Sequence, residues 1–456
     1  MLPEAARQIA LSRDRSDAQA QARTQKRIAF CAYDSPNYLA GGPNTWVRRL
    51  LPDLRVHGFD VHPLIVYSGR LEECPLISTL QAMGFHVRAV SRSQAPYVED
   101  QVRWLLTQVA AIQPHVLVAN LVAPAFYAAR WIRAAGIPVV GVFHSDAPYC
   151  HAMARRFVAG HKRDSFHVAV CVSDTLRATV ARNNPHRIEI LRIPCGAPVP
   201  PSVERVPSAR LRVLYVGRIA NQAKRAVDVA KAFCLASRTV PGTSFTLVGA
   251  GPDEAELKSF IFESGAGDSV HFLGAVPPEN IPAILERHDV IVLLSDYEGM
   301  PVALMEGMAH GLVPVCLAEK SGINELIVHG RNGLIVNDRA DDFVAALQRL
   351  QAEPFLLKQL SIAARQTVQA EYASDLNHGR WAQLLDEWAG RGRPVVVRIP
   401  TVVRLPVPEP SFGSEDLRKP PAVQRFSGLL ARRWFEIRQT IRPRARLREL
   451  ISREPD

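Results

Sequence analysis

The hydrophobic pattern of this chain switches period again and again. From Lys26 to about Arg192, short and mostly apolar runs alternate with segments whose apolar residues recur at helical spacing. The runs are RIAFCA (27–32), VHPLIVY (61–67), FHVRAV (85–90), HVLVAN (115–120), PVVGVFH (138–144), HVAVCV (167–172) and IEILRI (188–193). Runs apolar on both faces predict strands buried in a parallel sheet, and the periodic segments between them, such as 98–112 and 123–135, predict the covering helices. Residues 194–209, PCGAPVPPSVERVPSA, break the pattern with prolines and predict a hinge. The alternation restarts with LRVLYVG (211–217), SFTLVG (244–249), VHFLG (270–274), DVIVLL (289–294), LVPVCL (312–317) and GLIV (333–336), and helical patterns at 340–352, 355–371 and 375–389 close the second unit. The expectation is an α/β protein with a first domain over 26–193, a hinge over 194–209 and a second domain over 210–390. Ligands of such sheets bind where strand ends meet helix starts, so two sheet edges can face each other across a cleft.

The chain ends read differently. Residues 1–25 are polar and mixed in charge, which predicts a disordered leader. After Gly392 comes VVVRIPTVVRLPVPEP, read as a proline-punctuated linker within 391–456. Within 425–453, Phe426, Leu430, Trp434, Ile437 and Ile441 form an apolar helical stripe opposite several arginines, interrupted by Pro443. From Arg391 onward fifteen Lys/Arg face seven Asp/Glu, so this tail carries eight of the chain's eleven net positive charges. The body is then close to neutral, and no nucleic-acid partner is expected. An anionic membrane surface is one expected partner for 426–442, and packing on protein is the other.

No run approaches the 18 apolar residues of a membrane span. None of the seven cysteines sits in a C-x-x-C pair, and Cys31, Cys171 and Cys316 lie in strand-like runs, so they read as small buried residues of a reducing compartment. The fourteen histidines include no H-x-x-x-H spacing, and no metal site is expected. A cytoplasmic protein, peripheral at most to the inner face of a membrane, fits this composition.

Chemistry concentrates at Leu294–Gly311, LSDYEGMPVALMEGMAHG. A strand precedes it, and a helix is expected to open with Pro301 in its first turn and to end at Gly311. The N–H groups around Gly299, Met300, Pro301 and Val302 would then offer an anion site at a helix N-terminus, with Glu298 at its lip and Glu306 within the helix. The plain alternative is a capped helix with two solvated glutamates. The second domain's first strand ends in Gly217-Arg218, with Lys224 six residues on; two cations at a strand–helix junction suit a diphosphate, or are simple surface charge. VGAGPD (248–253) is a glycine turn into a helix. Gly41-Gly42-Pro43 follows the first strand, without the spaced glycines of a dinucleotide fingerprint. His144 ends a strand at the cleft, as a ligand contact or as a hydrogen-bonded core histidine.

Together these motifs, GGP, His144, VGRI with Lys224, VGAGPD, FLG, Glu298-Gly-Met-Pro with Glu306, and SGINELIVHGRNGLIV (321–336), resemble the retaining glycosyltransferases of family 4 over about 27–390. The resemblance implies the GT-B fold, two Rossmann-like domains with the active site between them. It also implies transfer of a sugar from a nucleotide-sugar donor to a glycan or lipid-linked acceptor, as in polysaccharide biosynthesis. Glu298 would contact the donor sugar, with Gly299, Met300 and Pro301 holding the sugar or diphosphate and Glu306 on the ribose. Arg218 and Lys224 would neutralise the leaving diphosphate, His144 would touch the sugar near its 6-hydroxyl, Gly42 would lie beside the phosphates and Leu273 by the base. No cofactor is implied, and the chain holds no Asp-x-Asp, the usual metal-carrying motif of the other large transferase fold. One motif departs: the usual I-P-N-G-V-D reads Ile193-Pro194-Cys195-Gly196-Ala197-Pro198. Competing readings are a nucleotide-sugar epimerase, a phosphorylase (which needs a pyridoxal-phosphate lysine) and a non-catalytic scaffold of the same fold.

Overall fold

A computed structural model describes residues 25–36, 42–203, 210–318, 322–392 and 395–420. The leader and the helical stripe at 426–442 lie outside these residues. Seven strands form the first sheet: β1 Arg27–Asp34, β2 Asp60–Tyr67, β3 Arg88–Ser91, β4 Val116–Asn120, β5 Val139–Phe143, β6 Val168–Cys171 and β7 Glu189–Arg192, in the order β3-β2-β1-β4-β5-β6-β7. Six form the second: β8 Leu211–Val216, β9 Thr243–Val248, β10 Val270–Gly274, β11 Val290–Leu293, β12 Val313–Leu317 and β13 Leu334–Val336, in the order β10-β9-β8-β11-β12-β13. Every pairing is parallel. β4, β5, β6, β11 and β12 are buried at every position, which is what helices on both faces of a sheet require.

Both sheets reverse their strand order at one place, between β1 and β4 in the first and between β8 and β11 in the second. Those switch points open crevices at the carboxyl ends of the strands. One apolar cluster fills the first domain and runs on into Met300, Val302, Leu304, Met305 and Met308 of the second; a separate cluster fills the rest of the second domain. The two domains therefore share buried apolar surface along the cleft floor.

The final helix, Ser374–Arg391, corrects the expected boundary at 390. It lies on the first domain, because its apolar face (Trp381, Leu384, Leu385) is needed there: Trp381 packs against Trp46 at 5.4 Å and His378 bonds Asp53. Its start is stitched to the hinge, where Ala197 N–H donates to Tyr372 O (2.8 Å) and Ser374 N–H to Ala197 O (2.9 Å). Gly196, at φ +73°, has no room for a side chain against Ser374 Cα.

The stretch 395–420, read as a linker, is likewise laid on the first domain as a strap. Arg103 donates to Pro400 O and Thr401 O, Val98 N–H to Leu417 O, and Tyr127 O–H to Asp416 (2.7 Å). Phe412 is buried among Phe126, Tyr127, Tyr149 and Phe157, stacked on Phe157 at 6.3 Å. Prolines suit such a segment, since it bonds surface groups of another element and needs no ladder of its own.

Candidate active site

The second-domain wall grows from the ends of β8, β9 and β11. Two glycines of VGAGPD let loops touch: a side-chain carbon on Gly249 would lie 1.8 Å from Gly217 O, and one on Gly251 2.0 Å from Ile219 O. Behind them the loop 218–225 is pinned to the 295–301 loop by Asp296 N–H donating to Ala223 O (2.9 Å). Arg339 bonds both Asp296 and Leu294 O from the other side. Lys224 thereby reaches Glu298, Nζ to Oε1 at 2.5 Å, with side chains 29% and 10% exposed. Two residues expected to serve one ligand, 74 positions apart, are in contact. Arg218 is exposed after β8 and its side chain meets no partner among the described residues.

Gly299 is where the domains touch most tightly. A methyl group there would fall 1.8 Å from His144 O and 2.9 Å from Ser145 Cα, and one on Gly322 would fall 1.8 Å from Gly299 O. The helix that follows is Val302–Ala309; Pro301, with φ −75° and ψ 110°, is its N-cap residue, one position before the first turn where the sequence placed it. The reason is geometric, since the chain must still be extended at Pro301 to leave the contact at Gly299. Gly311, at φ +72°, follows the helix end as expected. The N–H groups of Met300 and Val302 find no acceptor among the described residues, as the start of a helix requires. Gly42 opens the first-domain helix Gly42–Val56, 3.4 Å (for an added side-chain carbon) from Val302 Cγ2, so it does abut this helix start. Its neighbour Gly41 lies outside the described residues.

Glu306, half-buried one turn into that helix, is bound by Arg49 of the first domain. His144 is 9% exposed, edge-on to Trp46 at 5.1 Å. Its Nε2 lies 2.6 Å from Asn120 Oδ1 and its Nδ1 3.7 Å from Cys195 Sγ. The Asn120 oxygen only accepts, so Nε2 carries the proton. Burial pushes the imidazole down to about 3, which keeps it neutral. Its backbone carbonyl, against Gly299, is what faces the second domain. Leu273 stands apart, 51% exposed on edge strand β10 beside Gly274, whose carbonyl accepts from Gly249 N–H.

Two participants, Arg49 and Glu415, carry no sequence signal of their own, and a third, Glu325, lies in the motif at 321–336 without a role read for it. Arg49 lies in a helix whose pattern announces only an apolar face. Glu325, the acidic residue of SGINEL, crosses to the first domain: Oε2 accepts from Asp174 N–H (2.7 Å), and Oε1 from Thr175 N–H (2.5 Å) and Thr175 O–H (2.7 Å). It thus caps the helix Asp174–Ala181 from outside, beside that helix's own Ser173 cap on Leu176 N–H (3.2 Å). Glu415 comes from the strap. Across the cleft, at the β1/β4 switch point, lies a cavity of about 190 Å³ whose walls include Tyr33, Asn44, Asn120, Ser145, Tyr149 and Glu415. Among the described residues no cluster of His, Cys, Asp or Glu could hold a metal, and no helix is long and apolar enough to cross a membrane.

Residues 201–367, most of the second domain, match the family described as Glycosyl transferases group 1. The amylovoran biosynthesis glycosyltransferase AmsK of Erwinia amylovora is 35% identical over 187 residues, 39% of this chain and 45% of AmsK. The chain spans just under half the length of the first curated relatives it matches. Among solved structures, sucrose-phosphate synthase of Thermosynechococcus elongatus superposes with a TM-score of 0.64 at 19% identity, covering 80% of this chain and 99% of that one. Alr3699/HepE of Anabaena, in complex with UDP and glucose, gives 0.65 at 16%, covering 80% and 100%. At such identities the likeness concerns the fold, and the fold is GT-B.

Proposed function

We propose that this protein is a glycosyltransferase that moves a sugar from a nucleotide-sugar donor to a glycan or lipid-linked acceptor in polysaccharide or glycoconjugate biosynthesis. The observation that carries the reading is the Lys224–Glu298 pair at the second-domain switch point, beside Gly299, which packs against the first domain. A charged donor would exchange that pair for better partners: Lys224 turns to the diphosphate, and Glu298 accepts from sugar hydroxyls. Arg218 joins Lys224 on the phosphates, and the free N–H groups at Met300 and Val302 add positive potential there. Glu306 serves the ribose once Arg49 lets go. His144, held neutral by burial, keeps its ring on Asn120 and brings its backbone carbonyl toward the sugar side of the cleft.

Breaking the sugar–phosphate bond leaves its electron pair on the diphosphate, so fixed positive charge is needed at that end as the bond opens. In this reading Arg218, Lys224 and the amide groups supply it without a metal. The acceptor oxygen bonds to the anomeric carbon on the face the diphosphate leaves, and its proton passes to a departing phosphate oxygen, so configuration is retained. Glu298 is a binding group in this scheme and forms no covalent intermediate. The nucleotide found with HepE makes UDP the first donor nucleotide to try. The tail at 426–442 would hold the enzyme to an anionic membrane from the cytoplasmic side, where lipid-linked acceptors sit.

The test is a thermal-shift screen of the full chain against nucleoside diphosphates and nucleotide sugars, in chelator. A ligand present at a hundred times its dissociation constant adds about 2.7 kcal/mol of stability. One nucleotide should stabilise the wild type but not Lys224→Ala; no stabilisation by any of them would remove the reading.

A further inference from the structure

The strap brings Glu415 to the first-domain cavity from a part of the chain that the matched family segment does not include. Its position is held on both sides. Phe412 is buried in an aromatic nest three residues before it, and Asp416, next to it, accepts from Tyr127 O–H, from Glu409 N–H (2.7 Å) and from Arg418. Those contacts dock the strap on either side of 415, and burying a further carboxylate there is costly.

The carboxylate is partly satisfied. Tyr149 O–H donates to Oε2 at 2.8 Å and Ala123 N–H reaches it at 3.4 Å, while among the described residues Oε1 meets the Arg92 guanidinium alone, at 3.5 Å. The side chain is 21% exposed, and a carboxylate has about four lone-pair sites, so Oε1 can accept from a bound hydroxyl. Burial raises its pKa above the usual carboxylate value against the pull of Arg92. The rest of the wall is neutral: Asn44, Asn120 and Ser145 offer hydrogen bonds, Pro43 and Leu121 are apolar, and Tyr33 and Tyr149 add rings.

Size and place narrow the ligand. About 190 Å³ is below the roughly 300–1,000 Å³ of sites for drug-sized molecules, which limits it to one small unit. Ser145, on its wall, packs on Gly299 together with His144, so the cavity adjoins the proposed sugar-transfer point. We propose that the strap completes the acceptor site, with Glu415 accepting hydrogen bonds from the hydroxyls of a single sugar ring seated in this cavity and thereby selecting the acceptor. Naming the ring as the acceptor rests on the glycosyltransferase reading; its binding at Glu415 does not.

The experiment is ligand-observed saturation-transfer NMR on the full chain with methyl glucoside, mannoside and galactoside, alongside UDP and GDP. Wild type, Glu415→Gln and Tyr149→Phe are compared, with melting curves to verify folding. The expected result is binding of at least one glycoside, weakened at least about tenfold by Glu415→Gln, with nucleotide binding unchanged. Tyr149→Phe, which removes the hydroxyl that orients the carboxylate, should weaken the same glycoside and carries the test alone if Glu415→Gln does not fold. Glycoside binding that needs Glu415, without any nucleotide binding, would support the site and sink the transferase reading. No glycoside bound by wild type, or both variants binding like wild type, would overturn the proposal.

Discussion

Glu325→Ala should open the cleft. The wild-type carboxylate receives three hydrogen bonds from Asp174 and Thr175 at 2.5–2.7 Å, and Arg192 stands 3.7 Å away. Hydrogen bonds to a charged group contribute about 1.5–3 kcal/mol each in protected settings. Here Glu325 is 18% and Asp174 48% exposed, so water replaces much of what is lost, and about 1 kcal/mol per bond is a fair value. The carboxylate at a helix N-terminus adds about 0.3–1 kcal/mol. The sum is about 3–4 kcal/mol in favour of the closed arrangement, or a factor of a few hundred in the open–closed equilibrium. Glu325→Gln keeps one acceptor oxygen and should lose about half of it. All seven cysteines are buried, so dyes can be placed at Val56→Cys and Phe262→Cys, which are 86% and 85% exposed on opposite domains. Single-molecule energy transfer should show one closed population in the parent, an open one in Glu325→Ala and a mixture in Glu325→Gln. Identical distributions in all three would refute the assignment of Glu325 as a latch.

Gly299→Ala tests the same closure sterically: with a methyl 1.8 Å from His144 O, the domains must part, and the dye pair should report opening together with about 1–3 kcal/mol of lost stability, while an unchanged closed population would contradict it. Acid stability tests the buried imidazole. His144 is held near 3 in the fold against about 6.5 unfolded, so its contribution is complete above pH 6.5 and disappears as pH falls toward 3, at about 1.4 kcal/mol per unit. His167, pushed down to about 4 by burial, acts in the same direction, and Asp34, pushed up to about 6, acts oppositely between pH 6 and 3.8. Denaturant melts should therefore show His144→Gln with a shallower loss of stability from pH 6 to 4 than wild type; equal slopes would mean that the imidazole is not held neutral.

The sheets were legible because each buried strand is apolar on both faces and each crossover has its own helical period. All thirteen strands fall on the runs named from sequence, and the ends shift by up to three residues, as at Arg88–Ser91 against 85–90. The motifs of the candidate site were legible, and their long-range pairings were not. Lys224, Glu298, Gly299 and Glu306 lie in local motifs, at strand ends and a helix start, where chemistry follows from position. The pairings across the cleft follow from no motif: Arg49 meets Glu306 across 257 residues, and Glu325, itself within the 321–336 motif, meets Asp174 across 151. For the same reason the helix Ser374–Arg391 was assigned to the second domain, and the strap was read as a linker with no neighbour. An apolar face announces that it will be buried and leaves open against what, and a proline-rich run such as 395–420 has no period with which to announce even that.

The most direct test of the central claim is the rate of nucleoside diphosphate release from the nucleotide sugar that stabilises the protein. It is measured on the full chain with a methyl glycoside acceptor, for wild type, Glu298→Ala and Lys224→Ala. The account predicts that the wild type turns over and that each variant, folded by its melting curve, falls by about a hundredfold or more. Release at wild-type rates from both variants would contradict it.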